Sequence, residues 1–207
     1  MHNAQQLKFG KVSTSEKEIK DLLMAWVAIS AAFAIAFRNE IPSLDFYSVF
    51  IIASLTVGAG FLLHELGHKI VAQRFGCFAE FRSFGHMLLL AIAMSFFGFI
   101  FAMPGAVMIS GSINKSRNGK ISAAGPVVNL ALALFFLIFI FLHLPAYFKI
   151  MGYYGFLVNS WLALFNMMPF WVFDGYKIFK WNKIVYLGIV AAALSFILLK
   201  RFIPQPV

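Results

Sequence analysis

Charge is what this chain has least of. Charged residues make up 12% of its 207 positions and only eight are acidic, where a soluble domain carries roughly a quarter. That scarcity excludes an ordinary soluble enzyme and a disordered regulator alike. The single cysteine, Cys77, excludes an internal disulfide and a cysteine-rich metal site, and with them a disulfide-knit secreted domain. Internal repeats, low-complexity tracts and a second domain are not visible in the sequence. What is abundant is apolar surface: 61% hydrophobic and 17% aromatic residues. A chain this short cannot hide that much in one core, because a small protein exposes a large fraction of its surface. The composition specifies an integral membrane protein.

Seventeen Lys and Arg against eight acids give a net charge of +9. In a soluble protein such an excess suggests nucleic acid. Here the cations sit between apolar runs, with no basic stripe interleaved by aromatics, so they read as loop anchors on the cytoplasmic face. A membrane helix needs about 20 mostly apolar residues. Candidate spans cover residues 22–37, 46–75, 121–142, 153–170 and 184–199, with a further apolar run at 87–109 broken by Met103-Pro104-Gly105. The first is expected to be a retained helix: its leader is long and acidic residues adjoin it, unlike a signal peptide.

The run at 87–109 is the ambiguous one, and charge decides it. If it dips into the membrane and returns, thirteen basic residues lie inside and only Arg38, Lys149, Lys200 and Arg201 outside. If it spans, the division becomes ten against seven. Re-entry is therefore expected, with Pro104-Gly105 as the break. The expected architecture is an all-α polytopic membrane protein of about five to six membrane segments, one re-entrant. Residues 76–85 and 107–114, with their turn-rich ends, are candidate strands of a small β element at the cytoplasmic membrane face. A single domain over 1–207 is expected, its core at 46–176 and its flanking helices at 22–37 and 184–199.

Six of the eight acids, Glu16, Glu18, Asp21, Glu40, Asp45 and Glu80, read as loop or flank residues. Glu65 and Asp174 instead fall at the inner ends of apolar spans, where ionisable groups are costly and usually functional. Glu65 stands in His64-Glu65-Leu66-Gly67-His68. Positions four apart share one helix face, so both imidazoles can bind one metal ion. Glu65, about 100° around from His64, can reach a water at that metal. The plainer reading is two interfacial histidines paired with a glutamate. Two imidazoles leave a catalytic metal short of a third protein ligand. His2 is terminal and His143 belongs to the opposite face; His86 is a lesser candidate and Asp174 the better one. Asp174 shares a side with His64 and His68 only if 87–109 is re-entrant, an argument independent of the charges.

Three motifs together resemble the site-2 protease family of intramembrane metalloproteases, peptidase family M50. They are His64-Glu65-Leu66-Gly67-His68; Ala124-Gly125-Pro126-Val127-Val128-Asn129, similar to the family's AGPxxN; and the stretch from Asn166 through Pro169 to Asp174-Gly175, similar to NxxPxxxxDG. The resemblance covers about residues 46–176. Val172 stands where many members have proline, the run at 87–109 is longer than in minimal members, and PDZ or CBS sequences are absent from these 207 residues. These departures point to a divergent, core-only member. The resemblance implies one zinc ion per chain on His64, His68 and Asp174, and Glu65 as general base and acid. It implies that Asn129 and Asn166 hold the substrate backbone or the developing oxyanion, against interhelical hydrogen bonding as the structural alternative. Gly125-Pro126 is expected to open and pack its helix.

The expected function is zinc-dependent hydrolysis of peptide bonds in or near transmembrane segments of other membrane proteins. The expected partners are such a substrate and the lipid bilayer, with no nucleic acid. The N-terminus and active site are expected to face the cytoplasm from a multi-pass position in the cell membrane. A catalytically silent chaperone of the same fold, or an ion or metal transporter, is the alternative. Retention of all four site residues speaks against the first, and the shortage of polar groups leading outward against the second.

Overall fold

The computed structural model describes residues 6–9, 12–38, 40–100 and 103–205, with only the backbone for 6–9. His2 lies outside the described residues. The chain divides into two compact units, Met1–Ser112 and Ile113–Val207.

The first unit opens with an antiparallel hairpin that the sequence did not announce, β1 (Gln6–Phe9) against β2 (Val12–Ser15). Ser15 ends β2 and caps α1 (Glu16–Phe37), accepting the Glu18 amide at 3.1 Å. That satisfies one of the amides a helix start leaves open. Asp45 caps α2 (Phe46–Ala53) in the same way, accepting the Ser48 amide at 3.0 Å and its hydroxyl at 2.9 Å. One widened π turn, Ser54–Gly58, joins α2 to α3 (Ala59–Arg74) without a break. The widened turn presents the Ser54 carbonyl sideways, where the Trp26 indole of α1 donates to it at 3.0 Å. A side chain at Gly58 would collide with Trp26 and Ser30, so α1 packs directly on the turn. After Phe75 the chain reverses at Gly76, whose φ of +77° is the left-handed conformation expected at a helix stop.

The run at 87–109 is neither one spanning helix nor one apolar hairpin. It holds α4 (Gly85–Ser95), a turn at Gly98 with φ +82°, and then strand β4 (Gly105–Ser110). β4 pairs antiparallel with β3 (Phe78–Ser83), from Phe78 opposite Ser110 to Ser83 opposite Gly105. The chain therefore leaves this sheet and returns to it. The break falls before Pro104, since a left-handed glycine has already ended the helix. β4 also starts earlier than the expected 107 and stops short of 114. Phe81, Ala25 and Leu88 form the buried apolar cluster beneath the sheet, with Phe61 and Val107 against it.

The second unit is helical: α5 (Lys115–Phe141), α6 (Ala146–Asn166), α7 (Asp174–Trp181) and α8 (Lys183–Leu199), ending in a short 3-10 turn, Lys200–Phe202. Asn114 caps α5 through the Arg117 amide at 2.9 Å, and Asn182 caps α8 through the Ile184 and Val185 amides at 2.9 and 3.1 Å. Pro126 does not open its helix as expected. It sits inside α5, which already begins at Lys115. α6 packs on α5 at Gly155, where an added Cβ would meet the Phe136 ring. α6 ends at Asn166, short of the expected 170, and α7 begins at Asp174.

Among the described residues, four helical stretches are long and apolar enough to cross a membrane: Glu16–Phe37, Phe46–Arg74, Lys115–Phe141 and Lys183–Phe202. α6 is not among them. Its packed face carries Gly152, Tyr153, Gly155, Asn159 and Ser160, residues chosen for helix contact rather than for lipid.

Candidate metal centre

α3 carries the histidine motif inside the Phe46–Arg74 stretch. His64, Glu65 and His68 are all buried. The one-turn spacing puts the two imidazoles on the same face, ring centroids 4.6 Å apart and planes at 86°. That separation lets both rings aim a nitrogen at one ion without overlapping. Glu65 faces the sheet instead. Its Oε2 accepts the backbone amide of Val107 on β4 at 3.1 Å, a contact that no local sequence signal announces.

In the second unit, Asp174 is the first residue of α7, where the unsatisfied amides of a helix start favour an anion. It is partly buried, with the Lys177 ammonium 3.9 Å from Oδ1. Gly175 beside it has the Met167 main chain where a Cβ would go, so this turn docks closely on the end of α6. His64 and His68 in the first unit, and Asp174 in the second, offer imidazole and carboxylate donors of the kind that hold a metal ion. His86, the lesser candidate for third ligand, is exposed at the start of α4 and stacks on Phe84.

The two asparagines lie on α5 and α6 of the second unit. Asn129 of α5 is wholly buried and donates to Asn159 of α6 at 3.0 Å; Asn159 in turn donates to the Gly155 carbonyl at 2.9 Å. Asn166 donates to the Leu162 carbonyl one turn back at 2.9 Å. Asn159 went unnoticed in the sequence because an asparagine in an apolar run belongs to no motif.

The chain is 37% identical over 191 residues to a protein of Methanocaldococcus jannaschii named "Putative zinc metalloprotease", an alignment that covers 91% of this chain and 96% of the relative. The chain belongs to that zinc metalloprotease family. No family model matches it, and no solved structure does. Zinc suits this metalloprotease's candidate donors: imidazole and carboxylate are ligand types that zinc takes, and three of them would leave a coordination position open.

Two charged residues of the metalloprotease lie deeper than their sequence context implies. Glu18, counted as a flank acid, is 0% exposed, and Lys69, counted as a cytoplasmic anchor, is 2% exposed. Their ion pair joins α1 to α3 directly after His68. The charge asymmetry used to orient the chain thus included one cation held inside the protein.

Proposed function

We propose that this metalloprotease is an intramembrane endopeptidase of the site-2 protease type, family M50. The observation that carries the reading is the placement of His64, Glu65 and His68 within Phe46–Arg74, a helical stretch apolar and long enough to cross a membrane. A soluble metalloprotease has no use for a catalytic motif in such a setting.

In this reading His64, His68 and Asp174 would hold one zinc ion, which would supply Lewis acidity toward the scissile carbonyl and lower the pKa of the attacking water. Glu65 takes a proton from the attacking water and returns it to the departing amine. Before that, Glu65 is already aimed: the Val107 amide fixes one carboxylate oxygen and limits the orientations that remain. Burial of Glu65 limits the access of bulk water to its carboxylate.

A transmembrane substrate must be unwound locally, because helical carbonyls are tied up in hydrogen bonds. Addition as a strand to β4 accomplishes this, since main-chain pairing holds a peptide extended. The Val107 amide points away from β3, so the outer edge of β4 runs beside the general base. The apolar segment between β3 and β4, with exposed Leu89, Phe96, Phe97 and Phe99, dips into the bilayer and returns. The N-terminus and the centre face the cytoplasm in a multi-pass cell-membrane protein. Its partners are the lipid bilayer and a transmembrane substrate, and it takes no nucleic acid.

The test is zinc quantification with proteolysis of a reconstituted transmembrane substrate, comparing wild type with Glu65→Gln. Cleavage is expected to vanish while zinc stays at one per chain. Full activity in Glu65→Gln would overturn the mechanism. Cleavage confined to a soluble peptide would overturn the intramembrane reading.

A further inference from the structure

The buried pair Glu18–Lys69 has no part in the chemistry above, yet it touches both elements that carry it. Besides the Lys69 ammonium, Glu18 accepts the Phe81 amide of β3 at 2.9 Å and the Thr14 hydroxyl at 2.7 Å. Phe81 stands directly opposite Val107 in the β3–β4 register. In antiparallel sheets, alternate residue pairs turn their amides outward instead of toward each other. This pair is one of those. Its β3 amide goes to Glu18 on one edge, and its β4 amide goes to Glu65 on the other. One rung of the sheet is therefore held between two carboxylates, and packing of Phe61, Phe81 and Val107 seats it in the apolar cluster of the unit.

We propose that Glu18 is a positioning residue for the general base: it fixes the Phe81–Val107 rung that aims Glu65, and through Lys69 it fixes the helix that bears His64 and His68. The inference rests on the reading of Glu65 as the base. A buried ion pair adds little stability over well-packed apolar residues of the same size. A three-way anchor of rigid geometry does give what a catalytic group requires, a supported orientation.

Two double variants separate position from stability. Glu18→Leu with Lys69→Met replaces the pair by apolar side chains, leaves no stranded charge and removes the acceptor for the Phe81 amide. Glu18→Gln with Lys69→Met also discards the charges but keeps an amide oxygen for that acceptor role. Both are expected to fold and to keep one zinc per chain. The leucine variant is expected to lose about tenfold in kcat with KM within about twofold. Its Val107 amide is expected to exchange hydrogen about tenfold faster. The glutamine variant is expected to return both quantities to within about threefold of wild type. Equal kcat in the two doubles, unchanged Val107 exchange in the leucine variant, or loss of its zinc would each overturn the proposal. Wild type and Glu65→Gln run in the same assay: cleavage indifferent to Glu65 would sink the protease reading, while Val107 exchange would still report on the rung.

Discussion

Asn129 offers a sharp test, because two roles for it predict opposite patterns. As an oxyanion donor it would reach reacting atoms, and its removal would cost about a hundredfold or more in kcat. The structure shows a fully buried amide donating to Asn159 at 3.0 Å, with Asn159 donating to the Gly155 carbonyl, and these bonds favour the interhelical role. Interhelical bonds of this kind in membrane proteins contribute about 0.6 kcal/mol on average and at most about 1.7. Asn129→Ala should therefore destabilise the fold by about 1 kcal/mol, which for a chain of this size lowers the melting temperature by roughly 2–4 °C. Asn159→Ala should cost a similar amount, and the double variant less than the sum, because one shared bond is lost once. Activity of folded Asn129→Ala enzyme should stay within about threefold of wild type. The assay is thermal unfolding in detergent beside kcat on the reconstituted substrate, for both singles and the double. A hundredfold fall in kcat for Asn129→Ala alone, with an unchanged melting temperature, would refute the interhelical assignment and support the oxyanion role.

Asp174→Ala should weaken zinc binding measurably by metal analysis after dialysis against a chelator, while His86→Ala should leave zinc content unchanged; the reverse pattern would move the third ligand. Gly155→Ala pushes a Cβ into the Phe136 ring and should cost about 1–3 kcal/mol in unfolding experiments. The amide and hydroxyl of Ser48 hold the Asp45 carboxyl below its ordinary value of 3.8. Its contribution to the α2 cap is therefore complete above that value and fades as pH falls through the lowered folded value. Asp45→Asn should remove that component from the acid limb of a pH–stability curve, and an unaltered limb would show that the cap carries no linkage.

Much of the centre was legible because it is local. A one-turn histidine spacing needs only a helix to become a shared face, and an acid after an apolar run announces itself by its cost. The strand-forming character of 76–85 was readable from its turn-rich ends, and β3 lies within it. The break in 87–109 was placed too late, because proline is the louder signal and the left-handed turn at Gly98 the operative one. The N-terminal hairpin was missed altogether: a short mixed-charge stretch has no periodicity long enough to read. Pro126 was expected to open α5, but Asn114 supplies a cap earlier and the helix tolerates the proline within.

The sequence by itself determined that this is a membrane protein, through composition, and that one helix face bears two imidazoles beside a carboxylate, through spacing. Both follow from properties that sum over neighbouring residues. The tertiary structure alone decided which charges are inside. Glu18 and Lys69 are fifty-one positions apart in the chain, and nothing about either residue reveals a partner on another helix. The same holds for the Val107 amide, which meets Glu65 only because strand register turns it outward at that rung. Whether a charge is solvated or paired, and where a backbone amide points, depends on which segments fold against each other, and local sequence does not encode that choice.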